Sequence, residues 1–289
     1  MGGAGKTPIA IALAREARRH NLNPGFLSRG YGGAIYQPHL VDAEQDTARH
    51  VGDEPLVLAR TAPTVVTPNR MEGAELLITH GCDFIIMDDG FQSARILIDF
   101  ALIVVDSLHG IGNGHTLPGG PMRARLVDQM RHADAIVKIG NGDGADEVIR
   151  QAARAGRPVY QAYTRPRLSA PFDDQPLLAY AGIGHPEKFF RTVEEMGGKI
   201  ALRQPFSDHH VYTDEEANDL IRLADGSGWR LVTTEKDAVR FLHGTPAQRA
   251  LGEASTVVEI DAHFELDVTA ASIIKETLAS WQGRRRSPA

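Results

Sequence analysis

Residues 2–20 read GGAGKTPIAIALAREARRH, and their interpretation decides the fold. A loop that cradles phosphates needs glycines so that backbone N–H groups can turn inward, a lysine for the outer phosphates and a hydroxyl at the start of a helix. Gly3, Gly5, Lys6 and Thr7 supply those parts, with Gly2 and Ala4 completing the turn. The helix that follows begins well: Pro8 falls in its first turn, where a missing N–H costs nothing, and Ile9 and Leu13 share one face. Such a loop hangs from a buried strand, and the full G-x-x-x-x-G-K-[ST] pattern needs one residue ahead of Met1. A parallel sheet without that strand would expose an edge beside the phosphate site.

Beyond this opening, short apolar runs alternate with helical patterns. GFLSRG, APTVVTP, CDFIIMDDG, FALIVVD, ADAIVKIG and RPVYQAYTR read as strands, whereas TPIAIALAREARRH and NRMEGAELLITHG space their apolar residues three and four apart. Buried strands joined by helical crossovers make a parallel α/β layer fold. Residues 107–126, SLHGIGNGHTLPGGPMRARL, are too rich in Gly and Pro for either element and form a long loop, a feature that tends to be functional. After Tyr163 the sequence TRPRLSAPFDDQP shows no periodicity, which places a domain boundary between residues 1–163 and 164–289. Alternation resumes with LLAYAGIG, a helix from about Pro186, KIALRQPF, a helix from about Thr213, WRLVTTEKD and TVVEID. An amphipathic helix, VTAASIIKETLASW, closes the chain before a basic tail, GRRRSPA, expected to be frayed.

The 289 residues, 42% of them apolar, can fill a substantial core. A formal net charge of −6 with interspersed signs supplies no basic field for nucleic acid or an anionic membrane. No run approaches the roughly 18 apolar residues of a spanning helix, and the N-terminus lacks a signal-peptide core. The single cysteine, Cys82, begins the apolar run CDFIIM and reads as a buried side chain rather than a reactive thiol.

Three stations carry candidate chemistry. In FIIMDDGFQ an apolar strand runs into Asp88 and Asp89; a strand-end carboxylate is where phosphoryl-transfer enzymes hold Mg²⁺, although Asp-Asp-Gly also ends strands for local reasons. In HVGDEPLVLAR, Asp53 and Glu54 precede an apolar helix, and spacing alone favours an N-cap. In FSDHHVYTDEE, Asp208, His209 and His210 occupy a turn; adjacent histidines diverge and no third ligand stands at zinc-site spacing, so a structural turn is the expectation. TEKD, residues 234–237, ends a strand and starts a helix, and reads as a cap with Asp237 in the first turn.

Taken together, GGAGKTP, LSRGYGG, GDEPLVLAR, IIMDDGFQ, LPGGPMR, AGIGHPEKFF, FSDHH and TEKDAV stand in an order that resembles the tetraacyldisaccharide 4'-kinases of lipid A biosynthesis. The resemblance implies a P-loop NTPase-like parallel sheet with flanking helices plus a second, smaller α/β domain. It implies transfer of the ATP γ-phosphate, with Mg²⁺, to the 4'-hydroxyl of an acylated glucosamine disaccharide 1-phosphate. Lys6 and residues 2–7 inherit the phosphate role, Thr7, Asp88, Asp89 and Glu54 the metal site, and Asp53 and His209 a paired catalytic role. Arg29, Tyr31, Gln92, Asn113 and Arg123 inherit places along the substrate wall. The family also carries an apolar helix and a strand ahead of the loop, implying peripheral contact with the cytoplasmic face of the bacterial inner membrane; their absence here marks either an internal start or a truncated, inactive relative. A regulatory or assembly NTPase would share the loop and the strand-end carboxylates. Against it, TTEKDAV lacks the Asn-Lys-x-Asp pattern of guanine specificity.

Overall fold

The computed structural model describes residues 5–35, 37–91 and 95–286. Residues 6–87 build β1 (Pro24–Ser28), β2 (His39–Leu40), β3 (Thr64–Val66) and β4 (Phe84–Met87), with helices α1 (Lys6–Arg19), α2 (Ala48–Val51), α3 (Asp53–Ala59) and α4 (Arg70–Thr79). These strands form a four-stranded sheet of order β2-β3-β1-β4, parallel except for the edge strand β2. A second sheet collects β5 (Leu102–Asp106), β6 (Ala135–Ile139), β7 (Val159–Leu168), β8 (Leu177–Ala181), β9 (Ile200–Pro205), β10 (Arg230–Thr234) and β11 (Ser255–Phe264). Its helices are α5 (Leu126–His132), α6 (Asp146–Arg154), α7 (Pro186–Glu195), α8 (Asp214–Ser227), α9 (Glu235–Phe241), α10 (Pro246–Ala254) and α11 (Val268–Arg286). The strand order is β5-β6-β7-β11-β10-β8-β9, and only the β7–β11 pair is antiparallel.

Burial follows position in the sheet. In β1 (PGFLS) and β8 (LLAYA) all five residues are buried, as expected of parallel strands covered on both faces. In β4 (FIIM), equally apolar, all four remain half-exposed because the strand ends its sheet. The edge strand β5 begins the other sheet, and a groove of about 760 Å³ runs between the two. Ile85, Met87, Ile103 and Val105 line it from the strands, Leu13 from α1 and Trp281 from α11. Lys6, Asp88 and Asp89 also line this groove, so that among the described residues an unpaired strand edge, β4 on one side and β5 on the other, stands beside the phosphate loop.

Two segments differ from their expected form. Residues 164–168, read as an irregular link, are the second half of β7, where pairing of Leu168 with Val258 and of Arg165 with Asp261 holds them extended. The basic tail is helical through Arg286. Arg284 pairs with Asp99, and the Arg285 guanidinium lies 5.0 Å from the Trp281 ring centre, placing cations at the negative end of α11. Cys82 is buried, and burial pushes its thiol up, away from reactivity.

Gly52 joins α2 to α3 at φ 94°, and a Cβ there would lie 2.7 Å from the Tyr31 carbonyl oxygen. Gly52→Ala should therefore cost at least about 1–2 kcal/mol from backbone strain alone. Thermal unfolding should show a Tm lowered by at least about 2–4 °C, the shift that 1 kcal/mol brings in a domain of roughly this size; an unchanged Tm would show that the junction relaxes freely.

Candidate active site

The junction at Gly52 aims the next residue away from its own helix. Asp53 opens α3 but makes no capping hydrogen bond, contrary to the cap expected from spacing. Its carboxylate, 5% exposed, instead meets two groups from the far end of the chain. His209 Nδ1 lies 2.9 Å from Oδ2, and Arg240 of α9 donates to the same oxygen. His209 sits at φ 56°, a left-handed backbone that turns its ring out of the loop after β9. The Tyr31 ring centre stands 5.7 Å from the imidazole.

Arg240 and Lys236 were not legible as site residues. They lie four apart on one face of α9, and the TEKD cap sets that helix: Thr234 Oγ1 accepts the Asp237 N–H at 3.1 Å. The buried Asp237 carboxylate accepts from the Gly182 N–H, the Tyr212 hydroxyl at 3.0 Å and Arg240 at 2.6 Å. Arg240 also donates to the Gly182 carbonyl at 2.8 Å. Lys236 reaches Glu54 at 2.5 Å, so both acidic residues of GDE are met from α9 or the loop before α8. TEKD is thus a cap, as expected, and also the frame on which two site cations are mounted.

Around the helix that follows Gly5, Lys6 bonds Asp89 Oδ1 at 2.9 Å, and Arg123 stands 3.2 Å from Oδ2 of the same carboxylate. Gly5 takes φ 79°, and a Cβ there would fall 2.4 Å from Ile139 Cδ1, so the tight turn requires glycine. Asp89 itself has φ 55°. Burial pushes the Asp89 carboxyl up, but the hydrogen bond and charge of Lys6, joined by Arg123, outweigh it and hold the group below its ordinary value. Asp88 goes the other way: burial raises it, and the charges of Glu54 and Asp89 add to that against the opposing Lys6. Asp88, Asp89 and Glu54 bring three carboxylates to one place, with the buried Thr7 in the first turn of α1, and hard-oxygen donors of this kind suit Mg²⁺.

The remaining expected residues divide. Arg29 is exposed, and its charge, after burial, lowers the neighbouring Arg70, which is 6% exposed with Nη1 lacking a hydrogen-bond partner among the described residues. Asn113, exposed on its loop, donates to the Gly119 carbonyl and accepts from the His115 N–H, which staples the loop around it. Gly2, Gly3, Ala4 and Gln92 lie outside the described residues.

Titration of the central pair has a definite sign. The hydrogen bond to Asp53 raises His209 above the ordinary imidazole value of 6.5 despite opposing burial. Burial pushes Asp53 up, yet His209 and Arg240 together bring it below 3.8. Stabilisation from the raised histidine is complete below 6.5 and fades as pH rises through its folded value; that from the depressed aspartate is present above 3.8 and is lost as pH falls through its folded value. An NMR titration of the His209 ring should therefore give a midpoint above 6.5, moving down in Asp53→Asn; an unshifted midpoint in both proteins would contradict the pair.

Comparison with known proteins gives a consistent result. The family model for tetraacyldisaccharide-1-P 4'-kinase matches residues 1–279. A tetraacyldisaccharide 4'-kinase of Mesorhizobium japonicum is 55% identical, over 99% of this chain and 83% of its own length. One of Rhizobium meliloti is 51% identical, over 99% and 82%. The crystal structure of Aquifex aeolicus LpxK in complex with ATP superposes with a TM-score of 0.72, over 96% of this chain and 85% of that one; at 22% identity this likeness speaks to the fold. With residues 1–279 matched by the family model and half or more of its residues shared with such relatives, the chain belongs to the tetraacyldisaccharide 4'-kinase family.

Proposed function

We propose that the Asp53–His209 pair is the catalytic centre of an ATP-dependent lipid A 4'-kinase. Family membership makes the chain a kinase that phosphorylates the 4'-hydroxyl of a tetraacylated glucosamine disaccharide 1-phosphate. The observation that supports this assignment within the site is a buried carboxylate bonded at 2.9 Å to an imidazole 156 residues away, between the phosphate-loop side and the later α/β unit. The alternative of a regulatory NTPase has no use for such a pair.

Each residue then has a task. Lys6 leaves Asp89 to hold the outer phosphates of ATP as a point charge, and Arg123, on the other oxygen of Asp89, stands ready beside it. Thr7, Asp88, Asp89 and Glu54 would hold Mg²⁺, which supplies neutralisation of the phosphate charge. Asp53 orients the 4'-hydroxyl and accepts its proton as the oxygen attacks phosphorus. A carboxylate held below 3.8 is a weak base, so proton transfer comes late, as suits a loose phosphoryl-transfer transition state. His209 fixes the carboxylate and shares the charge that develops; general-base terms of this kind are worth roughly 10²- to 10⁴-fold. Arg240 prevents Asp53 from rotating away, and Tyr31 and Arg29 border the sugar.

One finer reading goes with this. No helix among the described residues is long and apolar enough to cross a membrane. An acylated substrate nevertheless resides in a lipid surface, so we infer peripheral work at the cytoplasmic face of the bacterial inner membrane.

Lys6→Ala tests the phosphate role. It should lower phosphorylation of a detergent-dispersed acylated disaccharide 1-phosphate on the order of 100-fold or more, with the circular dichroism spectrum unchanged. Near-normal turnover would remove Lys6 from the site.

A further inference from the structure

Outside the candidate active site, the segment from β2 to α2 gathers three side chains to which the phosphoryl chemistry described above gives no task. His39 Nε2 lies 2.6 Å from Asp46 Oδ2, and His50 Nδ1 lies 2.9 Å from Asp46 Oδ1. The two rings meet edge to face, with centres 5.3 Å apart. One ligand atom from each of the three residues falls within 4.8 Å of the others. Asp46 is buried at 7% exposure, His39 is partly buried and His50 is exposed. The carboxylate is pre-oriented by the Asp42 N–H, which donates to Oδ2 at 2.9 Å, while the Asp46 N–H closes the turn onto the Asp42 carbonyl at 2.8 Å.

We propose that His39, Asp46 and His50 form a binding site for one zinc-class transition-metal ion. Two imidazole nitrogens and one carboxylate oxygen are a recurrent three-ligand set for Zn²⁺, whereas Mg²⁺ and Ca²⁺ prefer all-oxygen cages. Bonds of about 2.0–2.2 Å to a shared ion require the ligand atoms to stand roughly 3–3.5 Å apart. The two contacts to Asp46, at 2.6 and 2.9 Å, need open by less than about 1 Å, and the set as a whole, within 4.8 Å, draws together around the ion by a small turn of the exposed His50 ring. Binding displaces the protons that the two ring nitrogens place on Asp46. The solvent-facing side at His50 leaves a fourth position for water. The Asp42 N–H on Asp46 is the kind of outer hydrogen bond that holds a ligand in place.

The site has a reach beyond its own turn. The His50 carbonyl accepts the Ala34 N–H at 2.9 Å, and two residues after His50 the chain passes through Gly52 into Asp53. From the later α/β unit, His243 Nε2 lies 3.0 Å from the Ala43 carbonyl of the same turn. An ion here braces the segment that aims Asp53.

The test uses full-length, untagged, metal-stripped protein, titrated with Zn²⁺ against a chromophoric chelator and with Co²⁺ for the visible absorption of a low-coordinate nitrogen-oxygen site. The expected result is one ion per chain, with affinity lowered more than about 100-fold in His39→Ala and His50→Ala, since loss of a ligand exceeds loss of an outer partner. Zn²⁺ should raise the unfolding temperature of the parent protein and leave that of His39→Ala unchanged. If an alanine variant does not fold, His50→Gln, which can still bond Asp46, replaces it. Failure of the folded parent to bind Zn²⁺, or equal affinity in parent and folded variants, overturns the proposal.

Discussion

Asp53 is a buried carboxylate that cannot be satisfied from its own half of the chain. At 5% exposure it needs positive partners, and both come from beyond residue 200: the His209 imidazole and the Arg240 guanidinium. Removing one partner from a buried pair leaves an uncompensated charge, at a cost of about 3–5 kcal/mol. Docking of α9 against α3 is therefore not an optional arrangement of two lobes. Arg240 is itself held by Asp237, and Asp237 by Tyr212, Gly182 and the Thr234 cap, so a line of hydrogen bonds runs from the core of the later unit into the acidic turn of the earlier one.

The same constraint shapes the electrostatics of the site. Two carboxylates, Asp53 and Asp89, are held low by cations that touch them, while Asp88 between them in function is pushed up by burial and by its acidic neighbours. Environments that drive neighbouring acids in opposite directions separate their tasks, one set for orientation and proton handling and the other for a cation. The pair of Asp53 and His209 is already in contact, so substrate entry has only to place the hydroxyl against it.

Much of this was legible in the sequence because it depends on local patterns. AIVKI is a strand because its apolar β-branched residues are buried inside the sheet, FIIM and LIVVD carry the same pattern to the sheet edges, and α1 starts where Pro8 and the Gly5 turn dictate. The motif order gave the company of Asp53 and His209, which spacing alone read as a cap and a turn. Arg240 and Lys236 were not legible: on α9 they look like ordinary solvated charges, and their partners Asp53 and Glu54 are 187 and 182 residues away. Nor was the second half of β7, since TRPRL becomes a strand only when β11 lies antiparallel to it. The two-residue β2 and four-residue α2 are too short for any periodicity, although they set up the turn before Gly52.

The central claim is that Asp53 and His209 act as one unit, and a double-mutant cycle on kcat/KM tests it directly. Asp53→Asn keeps the volume and a partner for Arg240, and His209→Gln keeps a donor, so each variant changes charge with little change of shape. The account predicts that each single substitution lowers kcat/KM by roughly 10²- to 10⁴-fold and that the double variant is hardly worse than the more damaging single one. Losses that multiply in the double variant would contradict it and assign the two residues separate roles.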